Sequence, residues 1–167
     1  GGNNTQDVLD TIDQTPLDGV EAILSVSPYY NKPSQDGIYQ HYHIVANKSP
    51  KPVILYNVPG RTASNITAET TLKLAQHPNI IAVKEASGDL VQCIEIAKNK
   101  PEDFLLISGD DMLTIPMMSI GGQGVISVLA NAFPAIFSEM VQDGLAGNFR
   151  KASQGLYQIS GINPHMY

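Results

Sequence analysis

The sequence is poor in the features that mark several classes of function. Its 167 residues include a single cysteine, Cys93, so no internal disulfide can form, and that usage fits a reducing compartment. Basic residues are scarce. Ten Lys and Arg stand against sixteen Asp and Glu, giving a net charge of −6 and a pI near 5.0. This balance argues against nucleic acid or an anionic membrane surface as a partner. No apolar run approaches membrane-spanning length, and no signal-peptide pattern precedes the first helix. A cytoplasmic location is therefore expected. GxSxG elbows, Walker loops and paired-cysteine metal spacings are all missing. The four histidines, His41, His43, His77 and His165, are scattered, and none stands beside Asp110-Asp111. Metal-dependent aldolase chemistry at that acidic pair is thus the weaker reading, and Asp111 reads as a helix N-cap.

What is present describes an ordinary globular chain: 43% hydrophobic and 16% charged residues, long enough for one domain with a substantial core. Cys93 reads as a buried small hydrophobe beside Ile94 and Ile96. The chain opens GGNNTQD without a methionine and stops at NPHMY, which reads as part of a longer polypeptide.

Strand and helix patterns alternate five times. Strands are expected at Val20–Ser27, Pro52–Val58, Asn79–Ala86, Phe104–Ser108 and Val125–Leu129. The first helix is capped by Asn4 or Thr5 and carries Val8, Leu9 and Ile12 on one face. Helices follow from Ser34 to about Asn47, Thr67 to about Gln76, Asp89 to Lys98, Asp111 onward, Pro134 to about Leu145, and Phe149 to Ile159. Pro59-Gly60-Arg61-Thr62 reads as a loop, and GGQG at 121–124 as a tight turn.

Near-continuous apolar strands joined by helical crossovers imply a parallel sheet. A flavodoxin-like doubly wound sheet and five strands of an eight-stranded barrel both fit. The strand ends favour the barrel. Polar residues follow four successive strands: Tyr29 and Tyr30, then Tyr56 with Arg61, then Lys84, then Ser108-Gly109-Asp110. A barrel gathers such ends at one mouth, whereas a doubly wound sheet concentrates function at one switch point. A partial TIM (β/α)8 barrel, about strands 4–8 with their helices, is the expected fold.

Lys84 interrupts the apolar run of IIAVKEA. Burial disfavours an ammonium, and the neutral amine attacks carbonyls, as Schiff-base lysines do. The ordinary alternative is a strand-end lysine whose head reaches water. Alternation places Ile54, Tyr56 and Val58 on one face and Ile80, Ala82, Lys84 and Ala86 on another. On neighbouring barrel strands, Tyr56 and Lys84 would both point inward, where a phenol can exchange protons with a carbinolamine. Arg61, stiffened by Pro59 and Gly60, could hold a carboxylate bidentately or simply be solvated.

SPYYNKPSQDGIYQHY, ILYNVPGRT and IIAVKEASGDL closely resemble the matching blocks of the dihydrodipicolinate synthase family, within the pyruvate-dependent class I aldolase superfamily. The resemblance extends over essentially the whole chain, including LLISGDD and GGQGVISVLAN. It implies a lyase condensing pyruvate with L-aspartate 4-semialdehyde to 4-hydroxy-tetrahydrodipicolinate, in lysine and diaminopimelate biosynthesis. Lys84 matches the Schiff-base lysine, and Tyr56 the proton-relaying tyrosine. Tyr30 matches a tyrosine inserted into a neighbouring subunit's site, and Arg61 the arginine holding the semialdehyde carboxylate. Gly109 and Ile126 match positions lining the pyruvate pocket. Asn3 and Tyr29 match an allosteric lysine site, and Asp7 stands where several members carry glutamate. The resemblance further implies a homotetramer built as a dimer of dimers, with no cofactor or metal beyond the covalent Schiff base. It places residues 1–145 in the C-terminal portion of the barrel and 146–167 in the start of a helical extension. The GTTGE-like motif that family members carry upstream does not occur in this sequence. Two alternatives stay open: another pyruvate-dependent aldolase (N-acetylneuraminate or keto-deoxy sugar acid lyase), and a non-catalytic barrel fragment.

Overall fold

The computed structural model describes residues 1–166. In chain order the elements are α1 (Thr5–Gln14), β1 (Ile23–Val26), α2 (Gln35–Lys48), β2 (Val53–Asn57), α3 (Pro59–Thr62) and α4 (Ala68–Leu74). Then follow β3 (Ile80–Glu85), α5 (Leu90–Asn99), β4 (Leu105–Ser108), α6 (Thr114–Ser119), β5 (Gly124–Val125), α7 (Pro134–Leu145) and α8 (Phe149–Ser160).

The five strands form one parallel sheet in the order β1-β2-β3-β4-β5. That order decides between the two expected architectures. A doubly wound sheet reverses its strand order at a switch point and carries helices on both faces. Here each strand lies beside its predecessor. The buried outer side chains Val53, Leu55, Ile80, Val83 and Leu106 join Ile38, Tyr42, Val45, Leu74 and Ile96 of the helices in one cluster. The helices thus lie along one side of the sheet, in sequence order, as in a barrel wall. The opposite side carries Leu24, Ile54, Tyr56, Lys84 and Leu105, of which Leu24 and Leu105 are exposed. A second cluster, with Ile115, Met118, Leu129, Phe137, Met140, Ala152 and Ile159, seats α7 and α8 on α6. Phe149, Ala152, Leu156, Ile159 and Ile162 belong to this cluster.

The helix starts follow side-chain chemistry. Asn4 accepts from the backbone N–H of Gln6, Ser34 from Gly37, Thr67 from Thr70, and Asp89 from Val91 and Gln92. Cys93 is buried as expected, and burial pushes its thiol up to about 12. Four local expectations change. Asp111 does not cap α6; its neighbour Asp110 accepts from the N–H groups of Met112 and Leu113, while Asp111 accepts from the N–H of Leu129. Residues 59–62 form a one-turn helix rather than a loop. Pro59 suits the first helical position, and Ala63, at φ 59°, ends the turn. The fifth strand stops at Val125, because Leu129–Asn131 coils into a 3₁₀ turn tied to Asp111. Finally, Ile80 does not share the face of Lys84. Val53 pairs with Ile80 but Ile54 pairs with Ala82, so Ile81 is an extra residue that turns Ile80 outward.

Candidate active site

β2 and β3 present their inward side chains in matched register. Tyr56 lies directly opposite Lys84, and the Lys84 Nζ sits 4.1 Å from the centroid of the Tyr56 ring. A cation over a phenol face at this separation is attractive. Gly109, at the end of β4, makes room for the lysine. A Cβ built there would lie 3.0 Å from Lys84 Cε, 3.1 Å from its Cγ and 2.8 Å from the Ala86 Cβ, so only glycine lets the backbone approach this closely.

These residues line a cavity of about 320 Å³ at the carboxyl ends of the strands, with Val58, Gly60, Arg61, Asp110 and Asn163 among its walls. In parallel α/β folds this is the end where ligands bind. Lys84 is 9% exposed, and desolvation lowers its pKa below the ordinary lysine value, against the opposing charge of Asp111. Desolvation raises the Tyr56 phenol, against the opposing charge of Arg61. The site therefore biases the amine toward its neutral, nucleophilic form and keeps the phenol protonated.

The remaining expected residues divide into two groups. Asn3, Asp7 and Tyr29 meet in a second cavity of about 310 Å³, between α1 and the start of the loop after β1. Tyr30 and Ile126 stand apart from both cavities. Tyr30 projects into solvent, 86% exposed. Its φ of 73° and the Asn31 N–H to Tyr29 carbonyl bond close a γ-turn of the strained kind. Ile126 contributes its backbone instead, donating to the Ser108 carbonyl as the last rung joining β4 to the segment after β5.

Sequence reasoning passed over two sets of residues. Asn163 reaches the cavity wall from far along the chain, and no local pattern signals that. Directly behind the site, Asn57 and Glu85 form a buried pair. The Asn57 Nδ2 donates to both Glu85 carboxylate oxygens at 3.0 Å. The Gln92 Nε2 (3.0 Å) and the Ser87 N–H (2.8 Å) complete the carboxylate's partners. The signal was available: a glutamate at an outward position of an apolar strand must be buried and satisfied.

A family model described as the dihydrodipicolinate synthetase family matches residues 1–164. The 4-hydroxy-tetrahydrodipicolinate synthase of Cytophaga hutchinsonii is 53% identical over 167 residues, covering 100% of this chain and 56% of that protein. The crystal structure of dihydrodipicolinate synthase from Aquifex aeolicus superposes with a TM-score of 0.93 at 40% identity, over 97% of this chain and 56% of that one. That of the Cyanidioschyzon merolae enzyme with lysine bound gives 0.90 at 42% identity, over 95% and 54%. The chain thus spans about half the length of the proteins it matches. On the match over residues 1–164, the chain belongs to the dihydrodipicolinate synthetase family.

Proposed function

We propose that the polypeptide carrying this chain condenses pyruvate with L-aspartate 4-semialdehyde. The reading rests above all on one observation: a buried amine, Lys84 Nζ, 4.1 Å from the Tyr56 ring at the mouth of a barrel wall. The neutral amine attacks the pyruvate C2 carbonyl to give a carbinolamine, which loses water to a Schiff base. Loss of a C3 proton then gives the enamine, whose carbon attacks the semialdehyde aldehyde. The Tyr56 phenol hands a proton to the carbinolamine oxygen and later recovers one. The Arg61 guanidinium, on the cavity wall, holds the semialdehyde carboxylate, and Gly109 leaves space for the amine and its adduct. Ile126 serves the pyruvate pocket through its place in the β4 ladder. No cofactor or metal enters these steps.

In the same reading Tyr30, held outward by its γ-turn, enters a neighbouring copy's site in a homotetramer built as a dimer of dimers. The cavity of Asn3, Asp7 and Tyr29 takes the end product lysine as a feedback ligand. No described helix is long and apolar enough to cross a membrane, and we place the enzyme in the cytoplasm.

Incubation of the full-length polypeptide with pyruvate and borohydride tests the chemistry, since reduction fixes the adduct on its lysine. Modification of Lys84 is expected; an unmodified Lys84 refutes the reading. Substrate choice is a separate matter. Semialdehyde should be condensed in preference to N-acetylmannosamine or glyceraldehyde, the aldehydes that sugar-acid aldolases use, and Arg61→Ala should weaken semialdehyde use while sparing pyruvate labelling.

A further inference from the structure

The face of β2 and β3 turned away from the cavity carries a contact that bears on the cavity side. Asn57 and Glu85 are register partners, as Tyr56 and Lys84 are one residue earlier on the opposite face. Both outward side chains are fully buried, at 0% and 1% exposure. Asn57 is itself fixed from two directions: its Oδ1 accepts from the Ile66 N–H at 2.9 Å, and its Nδ2 donates to Asn65 Oδ1 at 2.7 Å. Glu85 also joins the next strand, because its carbonyl accepts from the Gly109 N–H at 2.8 Å. A buried carboxylate facing only neutral donors costs more desolvation than an apolar side chain filling the same space. Its presence at the node of three strands therefore calls for a role other than packing.

The register irregularity supplies that role. Within the β2–β3 pair the alignment changes by one residue at Ile81, from Val53 with Ile80 to Ile54 with Ala82. A one-residue change in a strand sends each following side chain to the opposite face. Without the extra residue, Lys84 would lie on the helix side and Glu85 in the cavity. Backbone hydrogen bonds alone serve either alignment; a side-chain pair beyond the bulge serves one.

We propose that Glu85 is a positioning residue: through its contact with Asn57 it locks the β2–β3 register past the Ile81 bulge and so holds the Lys84 amine against Tyr56 for attack on the keto acid. The proposal rests on the reading of Lys84 as the Schiff-base lysine. Ser87, whose N–H the same carboxylate accepts, extends the lock into the turn before α5.

The test compares single and paired substitutions in the full-length polypeptide, measuring the rate of borohydride-trapped pyruvate labelling at Lys84 together with Tm. Glu85→Gln and Asn57→Asp each spoil the donor–acceptor match, and each should slow labelling about tenfold or more. The double variant N57D/E85Q reverses the donor and acceptor between the two strands but leaves contacts to Asn65 and to Ser87 or Gln92 mismatched. It should therefore label at least about threefold faster than either single variant, without full recovery. Phe137→Ala is the stability control. Phe137 is buried in the second cluster, which includes neither β2 nor β3, so its loss should lower Tm and spare the labelling rate. If Glu85→Gln fails to fold, Glu85→Asp, which keeps the charge but shortens its reach, takes its place. Single variants that lose Tm yet label within about twofold overturn the proposal, as does a double variant no faster than the singles. Absence of label on Lys84 in the unsubstituted protein is a separate result, which removes the Schiff-base reading and the positioning role with it.

Discussion

The two faces of the β2–β3 pair carry opposite chemistry only one residue apart. Inward lie Tyr56 and Lys84, bordering an open cavity, with the amine 4.1 Å from the ring centroid. Outward, Leu55 and Val83 are buried in the layer against the helices, and at the strand ends Asn57 and Glu85 are buried with every polar atom bonded. One face carries a partly desolvated amine beside a cavity; the other is closed, packed and satisfied. The contrast teaches that the site's precision comes from the side of the sheet it does not occupy.

The comparison can be broken from either face. On the inner face, Tyr56→Phe removes the proton carrier while keeping the ring beneath the amine, and it should lower turnover by about 10²–10⁴ with little change in Tm. On the outer face, Leu55→Ala should cost about 2–5 kcal/mol by chemical denaturation, because Leu55 is fully buried among helix side chains. Its Lys84 labelling rate, measured while folded, should stay near that of the unsubstituted protein. If Leu55→Ala slows labelling as much as Tyr56→Phe slows turnover, the division between the faces is wrong.

Gly109→Ala probes the border between the faces. Its Cβ would fall 2.8 Å from Ala86 Cβ and 3.0 Å from Lys84 Cε, so it should both displace the amine and strain β4. A loss of about tenfold in labelling with about 1–3 kcal/mol of stability is expected. The smallest effect concerns pH. Labelling needs the neutral amine, so its rate rises with pH through the Lys84 pKa, which burial places below the ordinary lysine value. Asp111 opposes that shift, since its charge favours the ammonium. Asp111→Asn should therefore move the midpoint of the labelling-rate profile to lower pH; a midpoint moved upward would contradict the sign.

How much of this was legible in the sequence follows from periodicity. Alternation along PVILYNV was enough to turn Tyr56 inward, and the run of polar strand ends pointed to a barrel mouth. Alternation also misplaced Ile80, because a bulge at Ile81 interrupts the period without any Gly or Pro to announce it. The last strand read too long because VISVL is apolar but for Ser127. What stops it is a tertiary contact, the Leu129 N–H donating to Asp111 from eighteen residues away. Asp111 read as a cap for the same reason: two adjacent aspartates look alike until the fold gives one the turn before α6 and the other the distant contact. The need to bury and satisfy Glu85 was legible, but neither it nor Asn57 signals which partner, 28 positions distant, does so.

The most direct measurement of the central claim is peptide mapping after pyruvate and borohydride treatment of the full-length polypeptide, alongside Lys84→Arg. A stable adduct on Lys84, absent from the arginine variant, is the expected result. An adduct on another of the chain's lysines with Lys84 unmodified would contradict it.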